Sequence, residues 1–251
     1  KKKKTSRKAS KEVLALLHGE KPSEAWAQLR AGDMDPMLRK VELRGLKLPG
    51  IDFSNLVLSG ADLSGADLSG ADLSGADLRK TIFSGAKLVG ANVSNAKIQG
   101  ADFSDCDLAQ ADFSGSNGRP RTLSDPNVCE PAGASFVGAR ANGARFVKAE
   151  LSGCNFSRFE AEGARFDRAI LVRSSFADSH LSGANFANSN ASMFVVWTLN
   201  NDDNYGVVAT DGNLQSGYWR YSGGGYPFWA IFRAPRQSVF ATMPTTGSHL
   251  F

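Results

Sequence analysis

Between Leu58 and Leu78 the chain reads LSGADLSGADLSGADLSGADL, a five-residue unit repeated four times. Its apolar residues sit two apart, as in Ala61/Leu63 and Ala66/Leu68, and the pair recurs every five. A helix scatters residues five apart around its circumference, whereas a spacing of two places side chains on one side of an extended backbone. Each unit therefore contains a very short extended piece. The Ser, Gly and Asp between the pieces are turn formers, Gly through its tolerance of positive φ and Ser and Asp through local hydrogen bonds. Two side chains point inward, the chain turns a corner, and successive corners close a coil that stacks on the last at about 4.8 Å.

The register extends far beyond this stretch. Large central residues run without a break through Leu43, Leu48, Phe53, Leu58 and on to Phe103, Leu108 and Phe113, fifteen units in all. It resumes at Phe136 and continues through Ala141, Phe146, Leu151, Phe156, Ala161, Phe166, Leu171, Phe176, Leu181 and Phe186 to Ala191, twelve more. Phe113 and Phe136 are 23 residues apart, so about 18 residues are in excess if the two occupy neighbouring walls.

The units ADLSG, ANVSN, ADFSD and ANFAN resemble the pentapeptide-repeat family, whose pattern is A-(D/N)-L-x-x. The resemblance covers roughly residues 41–191 and implies an all-β solenoid, a right-handed quadrilateral β-helix with four units per coil. A four-sided coil predicts that residues twenty apart stack. Phe136, Phe156 and Phe176 then form one ladder and Phe146, Phe166 and Phe186 the opposite one, with smaller residues on the remaining pair of walls, as close packing requires.

The expected organisation is a basic flexible arm (1–11), a helical N-terminal cap (12–40), a first repeat block (41–116), a loop insertion (117–133), a second block (134–191) and an aromatic β-rich C-terminal module (192–251). Helical pattern runs from EVLALL to Gly19 and from Pro22 to Gly32, each with a C-terminal glycine. An open solenoid end exposes core and unpaired backbone, so Leu14, Leu17, Trp26 and Leu29 are expected to cover it. The last sixty residues hold all four tyrosines and three of the four tryptophans among short β-like runs such as MFVVWTL and FWAIFRA, with turn signals between them.

Charge is unevenly distributed. Residues 1–40 carry a net +6, the first block −4 and the second +2, so the overall +4 belongs to the arm KKKKTSRKASK. Seven cations in eleven residues suit weak contact with a polyanion or an anionic membrane surface. No stretch approaches the 18 or so apolar residues of a membrane span. The sequence does not begin with Met, which leaves room for an upstream targeting segment.

Catalytic motifs are absent. His18, His180 and His249 are scattered, and no metal spacing, phosphate-binding glycine loop or nucleophile elbow occurs. Cys106 and Cys154 occupy the small inward position and read as core filler, which leaves Cys129, in the loop, as the candidate reactive thiol. Three irregularly spaced cysteines do not suggest a disulfide framework, and they favour a reducing, cytoplasmic compartment. No cofactor is expected.

These features point to a non-catalytic scaffold for protein–protein interaction. Candidate partner-binding residues are Arg119, Arg121 and Cys129 in the loop and Tyr218, Trp219, Tyr221, Tyr226 and Trp229 in the C-terminal module, of types and in places that favour interfaces. The expected partners are another protein, an anionic surface contacted by the arm, and a second copy of the chain. The family resemblance also implies an alternative, since some members protect DNA gyrase from quinolones by imitating duplex DNA. A rod of net −2 over both blocks suits that role poorly. An enzyme working through the C-terminal module is a third reading.

Overall fold

A computed structural model describes residues 9–31, 38–120 and 133–190, together with the backbone of four short strands beyond them. Residues 1–8 of the arm, most of the loop and the greater part of the C-terminal module lie outside the described residues.

Parallel bridges join residues twenty apart from Glu42↔Asp62 onward, one per unit on each of four walls. Each coil hydrogen-bonds to the next through pairs such as Leu63 N to Ile82 O (2.7 Å) and Ile82 N to Ala61 O (2.9 Å). The first wall is centred on Leu43, Leu63, Phe83, Phe103, Phe136, Phe156 and Phe176; the second, third and fourth begin at Leu48, Phe53 and Leu58. At 27 corners the residue two beyond the centre has φ between 56° and 71°, and it is glycine at 15 of them. The amide that follows closes a turn, as where Ala66 N donates to Leu63 O at 3.1 Å. A positive φ at the third residue of such a turn is what selects glycine there.

The Asp of each unit secures the same corner. Asp67 Oδ1 accepts from the Ser69 amide at 3.1 Å and from its hydroxyl at 2.7 Å, and Asn92 does the same for the Ser94 amide at 3.1 Å. These are local side-chain to backbone bonds of the Asx-turn kind.

Aromatic ladders fill the core on opposed walls. Phe136 stacks on Phe156 at 4.7 Å and Phe156 on Phe176 at 4.5 Å; opposite them Phe146, Phe166 and Phe186 stack at 4.7 Å intervals. Phe159 adds a ring from the second wall, in the place usually held by Ala, and meets Phe156 edge-on at 5.1 Å. Ala161 beside it keeps the filled volume in balance.

Across the register break the bridge spacing becomes 33, as in Asp102↔Ser135 and Asn117↔Glu150. The excess is therefore thirteen residues, not eighteen. Gly118 takes the fourth-wall centre between Phe113 and Phe136, with buried Ser116 in the small inward position. The first block thus ends on a complete fourth coil.

Two helices precede the rod, α1 (Ala9–Leu17) and α2 (Pro22–Ala31). Trp26 is fully buried, meets Phe53 edge-on at 5.0 Å and donates its indole N–H to Asp52 O. Ser23 bonds Pro49 O at 2.9 Å, and Arg30 reaches Ser54 O at 3.1 Å. From α1 the fully covered residues are Val13 and Leu17, while Leu14 and Leu29 are only partly buried. Val13 thus takes the covering place that helical periodicity assigns to Leu14.

At the other end β1 (Ser175–Ala177) pairs in parallel with β2 (Phe194–Trp197), Phe176 opposite Val196, again twenty apart. The strands β3 (Tyr205–Val207) and β4 (Gly217–Trp219) form an antiparallel pair, and β5 (Ala230–Phe232) runs antiparallel to β2.

Candidate basic cleft at the root of the loop

On the fourth wall the outward positions form two columns. One reads Asp77, Lys97, Asn117 and Glu150 along the bridged ladder. The other lies two residues further on in each unit and reads Arg79, Gln99 and Arg119. Arg79, Lys97, Gln99, Asn117, Arg119 and Pro120 line a cavity of about 410 Å³. Three of the six are cations.

Two carboxylates flank them, Asp77 beside Lys97 and Glu150 beside Asn117. Arg79 holds Asp77 through two hydrogen bonds, Nε to Oδ1 at 2.7 Å and Nη2 to Oδ2 at 2.6 Å. The Arg79 side chain thereby keeps the Asp77 carboxyl below its ordinary range, outweighing the opposite pull of burial, with a further contribution from Lys97. Asn117 Oδ1 receives the Arg119 amide at 3.2 Å and so orients the last turn before the loop. The Gln99 amide oxygen is buried without a hydrogen-bond partner. The cleft is thus electropositive, and the Gln99 oxygen enclosed beside it is left unpaired.

The loop leaves directly above it. Gly133, where the chain returns, lies against the strand it left: Ala134 N donates to Gly118 O at 3.3 Å and Gly133 N to Gly153 O at 2.8 Å. A Cβ on Gly133 would come within 2.8 Å of Gly118 O and 2.9 Å of Gly153 O, so this crossing admits no side chain.

Of the candidate partner-binding residues, Arg119 lines the cleft. Arg121, Cys129, Tyr221, Tyr226 and Trp229 lie outside the described residues. Tyr218 and Trp219 belong to β4, where they pair with Gly206 and Tyr205 and sit far along the sequence from Arg119. Sequence reasoning missed Arg79, Lys97, Gln99 and Asn117. Their signal was the spacing of twenty that aligns Arg79, Gln99 and Arg119, visible once the register is carried through to Gly118.

The two described cysteines are core residues. Burial pushes the thiols of Cys106 and Cys154 up to about 12, and Cys106 donates to Phe83 O at 3.0 Å. Among the described residues no group of three or more His, Cys, Asp or Glu is placed to hold a metal ion. No described helix is long and apolar enough to cross a membrane.

The chain is similar to several proteins of known structure. Full-length QnrB1, a plasmid-mediated fluoroquinolone resistance protein, is 22% identical over 61% of this chain and 77% of its own, with a TM-score of 0.42. HetL, a pentapeptide repeat protein involved in heterocyst differentiation regulation in the cyanobacterium Nostoc sp. strain PCC 7120, is 23% identical over 65% and 75%, with a TM-score of 0.31. A pentapeptide repeat protein of the Arabidopsis thaliana thylakoid lumen is 30% identical over 45% and 67%, with a TM-score of 0.22. No curated protein matches the sequence significantly. The family description "Pentapeptide repeats" matches eight copies within residues 38–117, 132–158 and 162–192. With that match spanning more than half of its residues, the chain belongs to the pentapeptide-repeat family.

Proposed function

We propose that this pentapeptide-repeat protein is a non-catalytic scaffold that holds a protein partner by an acidic segment laid into the fourth-wall cleft. The observation that carries the reading is the convergence of Arg79, Lys97 and Arg119 with the unsatisfied Gln99 oxygen around one cavity. A peptide brings carboxylates and backbone N–H donors together, and so matches both features. A phosphate backbone brings acceptors only, which suit the Gln99 amide nitrogen and leave its oxygen unmatched. The helices at one end and the C-terminal strands at the other serve, in this reading, to close a solenoid that must hide its open ends.

Gyrase protection through imitation of DNA is the competing role, suggested by the fluoroquinolone resistance named for QnrB1. A duplex is negative on every side, whereas this rod presents Arg79, Lys80, Lys97 and Arg119 on one wall. The mimic reading predicts relief of quinolone inhibition in a supercoiling assay, and we expect none.

The direct test measures binding of an acidic peptide and of single-stranded DNA of equal length to the full chain and to a Lys97→Glu/Arg119→Glu variant. The peptide should bind the parent and lose at least tenfold in the variant, while DNA held by the arm changes little. Equal peptide binding by both proteins would sink the cleft as the docking site.

A further inference from the structure

The second and third walls treat charge in opposite ways. Along the second, the bridged positions alternate in sign: Lys47, Asp67, Lys87, Asp107, Arg140, Glu160. Neighbouring opposite charges stabilise such a ladder, and like charges directly opposite destabilise it. Along the third wall the order is Asp52, Asp72, Asn92, Asp112, Arg145, Arg165. Here Asp52 is bridged to Asp72 and Arg145 to Arg165, so two like-charged neighbours are built into one wall. The corner beside it adds Lys148 and Arg168, one coil apart and both left-handed at φ 58°, where glycine would be unstrained. The wall is acidic at its N-terminal half and basic at its C-terminal half.

We infer that the third wall is a self-complementary interface, occupied by the third wall of a second copy running antiparallel. A two-fold axis across the wall between the third and fourth coils sets Asp52 against Arg165 of the other copy, Asp72 against Arg145 and Asn92 against Asp112. Symmetry repeats each contact. Moving the register by one coil either way sets Asp72 against Asp112 or Asp112 against itself, so one alignment is selected. In the same alignment Lys148 faces Gly75 and Arg168 faces Asn55, whose side-chain amide lies over Gly75 and offers polar atoms to both cations. The central column carries only short side chains in the first block, Ser54, Ser74, Ser94 and Ser114, with Arg30 of the cap lying over Ser54.

The charges are accessible to a partner. The Arg145 and Arg165 side chains are each 48% exposed. Their present contacts, Arg145 to Asp112 at 3.5 Å and Arg165 to Asp167 at 3.0 Å, lie at the surface, as does that of Arg30 with Asp52 at 3.4 Å. A second copy adds to these groups rather than leaving any of them buried alone. Exposed pairs contribute little one at a time and are screened by salt, so the dimer is weak and salt-sensitive.

Sedimentation velocity of the full chain up to a few hundred micromolar, at about 20 mM and about 500 mM NaCl, tests this. The average mass should rise from 26.8 kDa toward twice that value at low salt and fall back at high salt. Arg145→Glu/Arg165→Glu removes the basic half of the bridged column and Asp52→Lys/Asp72→Lys the acidic residues of its first two coils; each should stay monomeric alone, and a one-to-one mixture should pair. The register has its own readout, since Ser74→Cys/Val147→Cys should give a disulfide-linked dimer on oxidation. Reversing Lys97 and Arg119 in the fourth-wall cleft should leave association unchanged, which separates this interface from the proposed docking site. A parent that is monomeric at low salt, or an Arg145→Glu/Arg165→Glu variant that still dimerises alone, would overturn the inference.

Discussion

The ring of Phe103 lies flat against that of Phe136, 5.0 Å between centroids and 9° from parallel, although 33 residues separate them where every other coil uses twenty. The ladder continues on both sides, from Phe83 at 4.8 Å to Phe156 at 4.7 Å. The loop is therefore an excursion from one corner, and the core passes beneath it without interruption.

Excising residues 120–132 should leave the rod intact. The cut removes the thirteen excess residues and places Gly133 at the left-handed corner position that follows Gly118. Far-UV circular dichroism should be unchanged and Tm should move by no more than a few degrees, because closure entropy changes only slowly with the length of a connection. Loss of the folded signal would show that the loop supports the core.

Gly65 and Gly133 separate two reasons for glycine. At Gly65, φ is +63° and nothing lies within 4 Å of an added Cβ, so Gly65→Ala should cost about 1–2 kcal/mol through backbone conformation alone. At Gly133 the obstacle is backbone on two sides. Gly133→Ala should be the more damaging by urea denaturation, and equal costs would refute the steric account.

Acid should weaken the corners. The hydroxyl of Ser69, with its amide and despite partial burial, holds the Asp67 carboxyl below its ordinary 3.8, and the side chain of Arg79 does the same for Asp77. Groups depressed in the folded state contribute stability above the unfolded value, and this is lost as pH falls through the folded one. Tm should drop as pH falls below the ordinary carboxylate range, and less steeply in Asp67→Asn/Asp77→Asn. Asn keeps the turn acceptor, as Asn155 does for the Ser157 amide at 3.0 Å. An identical pH profile in the variant would remove these two groups from the account.

Trp26→Ala should cost about 3–5 kcal/mol, the usual range for deleting a buried aromatic. The damage should begin at the first coil, where Trp26 meets Phe53. Hydrogen exchange should show lost protection for the Leu43, Leu48 and Phe53 amides before those of the fifth coil. Uniform loss along the rod would argue against a local seal.

Cys106 and Cys154 should resist alkylation in the folded protein, since both thiols are buried and raised to about 12. Mass spectrometry after native labelling should find neither modified, and unfolding should expose both. Rapid native labelling of either would mean that the coils open.

The four-sided rod was legible in the sequence because each unit builds its own corner. The inward pair two apart, the left-handed residue and the Asp acceptor all act within five residues, and repetition multiplies a local signal. The Phe ladders followed from the spacing of twenty, and Cys106 and Cys154 proved to be buried core residues. What stayed hidden depended on which coil lies above which. Ser116 and Gly118 carry no apolar signal, so it is hydrogen bonds such as Gly118 N to Glu150 O and Asn117 N to Ala96 O that reveal a fourth wall where the apolar pattern stops. That one unit sets the phase of everything after it. It brings Arg119 into line with Arg79 and Gln99, and Arg145 into line with Asp112. Val13 in place of Leu14 has the same origin: helix periodicity offers an apolar stripe, and the position of the first coil decides which residue of the stripe is covered. Local conformation is written in neighbouring residues, whereas the cleft and the charged walls arise from contacts between residues twenty or 33 apart, whose alignment exists only once the coils have stacked.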